Sequence, residues 1–150
     1  MRISQPRCAR RLSFSVGGEN PLAAPTMELS FHATYVDCSN AVDWEIQQVL
    51  FDTVSDDGRD SDADRRSPYV LISCAFEVSQ DPEIEWHDGS DYGGGAVIRS
   101  AVLHRRQLSI TLEKSERIDI TFDLADVKFE TLHKYLRNIF GHKFEHRLPP

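Results

Sequence analysis

The sequence predicts an α+β fold: a mainly antiparallel β-sheet of about six strands, with a C-terminal amphipathic helix packed on one face. Three observations carry the prediction. Several short segments alternate apolar and polar residues with a period of two. That period gives way once, near the C-terminus, to helical spacing. Clusters of Gly, Pro, Asp and Ser punctuate the segments. Consecutive strands followed by a single helix imply an antiparallel sheet with the helix against it. A length of 150 residues suits one domain with a real core. The expected organisation is a flexible extension over 1–26 and one α+β domain over 27–150.

The extension is read from Pro6, Pro21, Pro25, Gly17 and Gly18, which give a flexible composition. Its arginines come early, as in a signal peptide, but Ser13 and Ser15 break the apolar stretch Leu12 to Val16. Met27 opens a patterned strand and is the expected natural start. From Glu28 to Val36, Leu29, Phe31, Ala33 and Tyr35 alternate with polar residues, a half-buried strand. Asp37 to Ala41 reads as a turn. Trp44 to Phe51 fits either a short helix or a strand with one irregularity, and its β-branched and aromatic content leans to the strand.

Ser55 to Ser67 is a polar loop, and Tyr69 to Phe76, apolar almost throughout, reads as a central strand covered on both faces. Ile84 to Trp86 is a short strand, and Asp88-Gly89 with Gly93-Gly94-Gly95 reads as a flexible turn region. Ala96 to Leu103 and Gln107 to Leu112 form a hairpin across His104-Arg105-Arg106, and Arg117 to Phe122 completes the strands. Phe129, Leu132, Leu136, Ile139 and Phe140 then mark one helix face. Asp123 or Asp126 is the expected cap and Gly141 the stop.

Charge is sorted along this order. Residues 27–91 hold 16 carboxylates against three arginines, a balance of −13, whereas 1–26 and 92–150 each carry +3. Self-repulsion of that size opposes compaction, so a basic partner, a cation or solubility must account for it. An anionic half disfavours nucleic-acid binding, because it repels a phosphate backbone. No apolar run reaches the ~18–20 residues of a membrane span, so no membrane partner is expected. Cys8, Cys38 and Cys74 form neither a disulfide framework nor a zinc spacing, which suits a reducing cytoplasm.

No spacing carries a catalytic motif. Asp60, Asp62 and Asp64 alternate like the first ligands of a calcium loop, but Arg65 stands where that loop needs glycine and Leu71 where it needs glutamate. A solvated acidic loop is the reading. His142 and His146 lack the glutamate of a zinc-protease helix, and His87 beside Glu85 and Asp88 is tied to no nucleophile. Gly93-Gly94-Gly95 precedes a strand rather than a helix and follows Asp88 and Asp91, so it is a bend admitting close backbone approach, not a phosphate loop. Neither a metal nor any other cofactor is implied.

From Tyr69 onward the order of features takes on a recognisable form. The buried strand precedes Asp81-Pro-Glu-Ile-Glu-Trp86, then Tyr92-Gly-Gly-Gly-Ala-Val97 and the Leu-His-Arg-Arg-Gln-Leu hairpin. Ile-Asp-Ile-Thr-Phe-Asp-Leu then leads into the closing helix. Over residues 69–140 this resembles the immunity protein 10 family, small bacterial proteins of polymorphic-toxin systems. The resemblance implies a non-enzymatic cytoplasmic protein that binds and neutralises a cognate toxin, with no catalytic residue to inherit. Many such toxins carry basic clefts, which an acidic face can occupy. The expected contacts are Asp56, Asp57, Asp60, Asp62 and Asp64 of the loop, then Glu83, Glu85, Asp88 and Asp91. Trp86 and Tyr92 are either anchors of the kind enriched at hot spots or ordinary packing residues. The rival readings are a metal-dependent hydrolase using Asp60, Asp62, Asp64 or His87, and an acidic binding module such as a secretion chaperone.

Overall fold

A computed structural model describes residues 9–13, 26–41, 45–54, 67–77 and 81–148, the first five and Thr26 as backbone. The fold is α+β, mostly β-sheet with one C-terminal helix, and its strands form two sheets rather than one. The first sheet contains β1 (Ala9–Ser13), β2 (Thr26–Ala33), β8 (Ile98–His104), β9 (Gln107–Leu112), β10 (Arg117–Phe122) and β11 (Phe144–His146), in the order β1-β2-β10-β9-β8-β11. The second contains β3 (Tyr35–Ala41), β4 (Ile46–Asp52), β5 (Tyr69–Ala75), β6 (Glu83–His87) and β7 (Tyr92–Gly94), side by side in chain order. The second sheet is wholly antiparallel. In the first, β10 runs parallel to β2 and β11 parallel to β8.

The chain crosses from one sheet to the other at Thr34. There the alternating run from Glu28 turns out of β2 into β3, and the Thr34 N–H bonds to the Asp52 carbonyl at 3.0 Å. The segment expected as a turn, Asp37 to Ala41, is therefore part of an edge strand in full register with β4. Its Asp, Ser and Asn residues mimic turn chemistry, and tertiary pairing overrides them. Residues 9–13, expected within a flexible extension, pair antiparallel with β2, while 1–8 and 14–25 lie outside the described residues.

Burial alternates along β5, β9 and β10 as period two requires. In β5, Val70, Ile72 and Cys74 are buried, while Tyr69, Leu71, Ser73 and Ala75 are half-buried on the opposite side. The expectation that both faces of this strand are covered is thus corrected: one face is core and the other looks outward. The inner faces of the two sheets meet, as shown by Phe51 of β4 stacked on Phe122 of β10 with centroids 5.9 Å apart. Buried residues from both sheets and the helix form one hydrophobic cluster.

The helix α1 (Asp126–Phe140) packs on β3 and β4 of one sheet, where Asn40 donates to the Tyr135 hydroxyl at 2.8 Å, and it also touches β8 and β11 of the other. Leu132, Leu136, Ile139 and Phe140 are its buried stripe. Its start is not capped as expected: the cap position is Ala125, which makes no side-chain capping bond. Asp126, one position too late to cap, is held instead by Arg105 of the β8–β9 turn at 2.9 Å. The same guanidinium donates to the Leu124 carbonyl at 2.7 Å and lies 4.6 Å from the Phe129 ring centre. Gly141 ends the helix as predicted, at φ 56°, where a side chain is strained.

Candidate protein-binding face

Because the five strands of the second sheet are contiguous in the chain, the charge sorting of the sequence becomes a sorting between sheets. Strands β3 to β7 contain Asp37, Asp52, Glu83 and Glu85 and neither lysine nor arginine. The first sheet mixes both signs, with Arg99 and Arg117 beside Glu28, Asp119 and Glu145.

Strand register fixes what the outer face of the acidic sheet presents, since residues opposite one another share a face. One row across the five strands reads Tyr35, Asp52, Tyr69, His87, Tyr92, in which Asp52 is fully buried and its Oδ1 accepts the Thr53 and Val54 backbone N–H groups at 2.7 and 3.1 Å. The next reads Asp37, Leu50, Leu71, Glu85, Gly94. A third reads Ser39, Gln48, Ser73, Glu83. The outcome is an aromatic row beside a pair of half-buried leucines, with carboxylates to either side.

At the β6–β7 end this face opens into a groove of about 600 Å³ between Asp81, Glu83, Glu85, Tyr92 and Val97, with Lys143 the one cation that lines it among the described residues. Tyr92 is 62% exposed and Val97 56%. The Tyr92 hydroxyl donates to Glu85 Oε2 at 2.9 Å, and this bond to the carboxylate, with its charge, raises the phenol above its usual pKa. The bond fixes the ring over the sheet edge at little entropic cost, since Tyr has few rotatable bonds.

The predicted contact residues divide. Glu83, Glu85 and Tyr92 come together on the groove, and Asp91 is exposed in the β6–β7 turn. Asp88 turns inward: its Oδ1 accepts the Ser90 and Asp91 backbone N–H groups at 2.8 and 2.7 Å, building the turn itself. Trp86 is 8% exposed and belongs to the core, so it does not serve as a surface anchor. Its neighbour across the ladder is Gly93, where a Cβ would fall 2.6 Å from the indole. The segment read as a flexible glycine turn is therefore an edge strand whose glycine makes room for that ring. Asp56, Asp57, Asp60, Asp62 and Asp64 lie outside the described residues.

Sequence reasoning missed Tyr35, Asp37, Leu50, Tyr69 and Leu71 as members of the face. For Leu50, Tyr69 and Leu71 the signal was present, because each alternates with a buried residue, whereas β3, with Tyr35 and Asp37, is half-buried throughout. What was hidden was the pairing that lines them up. His87, considered as a base, accepts the Gly89 N–H at Nδ1 (3.0 Å), and its ring stacks on Tyr69. Among the described residues no group of three or more His, Cys, Asp or Glu could hold a metal ion, and no helix is long and apolar enough to cross a membrane. No known protein family matches the chain, and no curated protein or solved structure is significantly similar to it.

Proposed function

We propose that this protein is a non-enzymatic immunity protein that neutralises a basic bacterial toxin through the outer face of its acidic sheet. One observation carries the reading: all five strands of that sheet lack lysine and arginine, while carboxylates flank tyrosines and leucines on the outward side. An apolar and aromatic centre with a charged rim is the anatomy of a binding patch. Like charge on one side of the molecule speeds encounter with an oppositely charged protein and rejects anionic competitors. In this reading Glu83 and Glu85 steer, and Tyr92, Leu71 and Leu50 supply the desolvated contact. The protein acts in the cytoplasm of the toxin-producing cell.

The test is co-expression with the toxin encoded beside it. Wild type is expected to rescue growth, and the folded double variant Glu83→Lys/Glu85→Lys to lose both rescue and the salt dependence of association. Full rescue by the double variant, with unchanged association kinetics, refutes the assignment of this face.

A further inference from the structure

The other sheet carries a second cavity. At the β8–β9 end of its outer face, register places His32 of β2 beside Thr121 of β10, Thr121 beside Gln107 of β9, and Gln107 beside His104 of β8. Each alternates with a buried neighbour (Phe31, Phe122, Leu108, Leu103), so the four form one outward row. The Arg105-Arg106 turn closes the row, and Asp123 follows β10, giving a pocket of about 800 Å³. That volume is in the range of small-molecule sites.

The partners within this pocket decide what it can bind. Arg105 is committed to Asp126 and the Leu124 carbonyl, so it shapes the wall. Gln107 turns its amide nitrogen towards Ser109 and Asp119, whose other oxygen is held by Arg117 at 2.8 Å. That neighbouring carboxylate is thereby neutralised. His32 Nδ1 lies 2.9 Å from the Thr121 hydroxyl, which orients the ring and leaves Nε2 for a ligand. Arg106 is exposed and, among the described residues, makes no ion pair with Asp123 although both line the pocket. Arg106 and two imidazoles, His32 and His104, thus line one cavity together with Asp123.

We propose that this pocket binds a small phosphate ester. Arg106 and His104 hold the phosphate, with His32 Nε2 as a further donor. A planar guanidinium meets two phosphate oxygens at once, which a lone lysine cannot do. Asp123 accepts a hydroxyl of the ester and, with the anionic second sheet, repels a polyanion. The site lies on the first sheet and is independent of the toxin reading.

Two-dimensional NMR titration of the full chain tests it, with inorganic phosphate, glycerol 3-phosphate and a short single-stranded oligonucleotide as probes. Saturable shifts are expected at the His32 and His104 rings and the Arg105-Arg106 turn, with the ester binding more tightly than phosphate. Arg106→Gln should weaken the ester by about tenfold or more, the loss of a charge-assisted bidentate contact. Asp123→Asn should remove the preference for the ester over phosphate. Shifts that are absent, equal at Arg99 and Lys114 on the far end of the sheet, or unaffected by Arg106→Gln would overturn the proposal. So would tighter binding of the oligonucleotide than of the ester.

Discussion

Replacing Gly93 by alanine should destabilise the protein through one contact. A Cβ at this position would stand 2.6, 2.7 and 2.8 Å from Cε2, Nε1 and Cζ2 of Trp86, distances that real Cβ atoms do not show. These are atoms of the fused ring system, not the end of a flexible chain, and Trp86 is packed in the core. The indole must therefore tilt into its neighbours, or β7 must lift from β6. Overpacking of this kind costs about 1–3 kcal/mol. In a domain of this size each kcal/mol lowers Tm by ~2–4 °C. Urea denaturation followed by far-UV circular dichroism measures the loss, and a double-mutant cycle with Trp86→Phe isolates its cause. Phenylalanine lacks the nitrogen and the second ring, so Gly93→Ala should cost less in that background, with a coupling of about 0.5–3 kcal/mol. Equal costs in both backgrounds, or a single-variant cost below about 0.5 kcal/mol, would refute the packing argument. Because β7 carries Tyr92, the same variant should also disorder the groove edge, which the Tyr92–Glu85 hydrogen bond would report.

Two further outcomes follow from ionisable groups. His133 of α1 faces His146 of β11, with ring centres 4.6 Å apart, and its pKa is held below the ordinary histidine range by burial, then by His146 and Arg137. The unfolded chain takes up that proton more readily, so stability is intact above the unfolded value of ~6.5 and falls as pH drops through it towards the lower folded value. His133→Phe should show a smaller decline of the urea midpoint between about pH 7.5 and 5.5 than wild type, and identical slopes would contradict the assignment. Burial, reinforced by Asp37, pushes the Cys38 thiol up to about 12, and burial likewise raises Cys74, with Asp81 and Glu83 adding to it. At neutral pH the folded protein should react with a thiol reagent at Cys38 at least about a hundredfold more slowly than the urea-unfolded chain, since the thiolate is the nucleophile. Peptide mapping of the labelled protein would check this, and rapid labelling of folded Cys38 would disprove it.

Much of the local structure was legible in the alternation. The strands at Gln107–Leu112 and Arg117–Phe122 have the predicted bounds, and the helix ends at the predicted glycine. The inward position of Trp86 was also written there, since it shares a face with Ile84, while Glu83 and Glu85 share the other. The face it helps support was less legible. Tyr35, Leu50, Tyr69 and Leu71 come from three strands, and no spacing along the chain relates them. Asp37 to Ala41 misled because an edge strand carries the polar residues that turns favour.

Period and charge along the chain, which are local properties, settled the kind of the clearly patterned elements, such as β9, β10 and α1, and the acidic character of residues 27–91. Partner choice belonged to the tertiary structure. Two sheets, two parallel pairings, a helix that touches both sheets and a tyrosine row all depend on which strands lie together. A period of two says which side chains share a face of one strand, but hydrogen bonds between backbones are the same whatever the sequence, so the neighbour is selected only by how the buried faces pack.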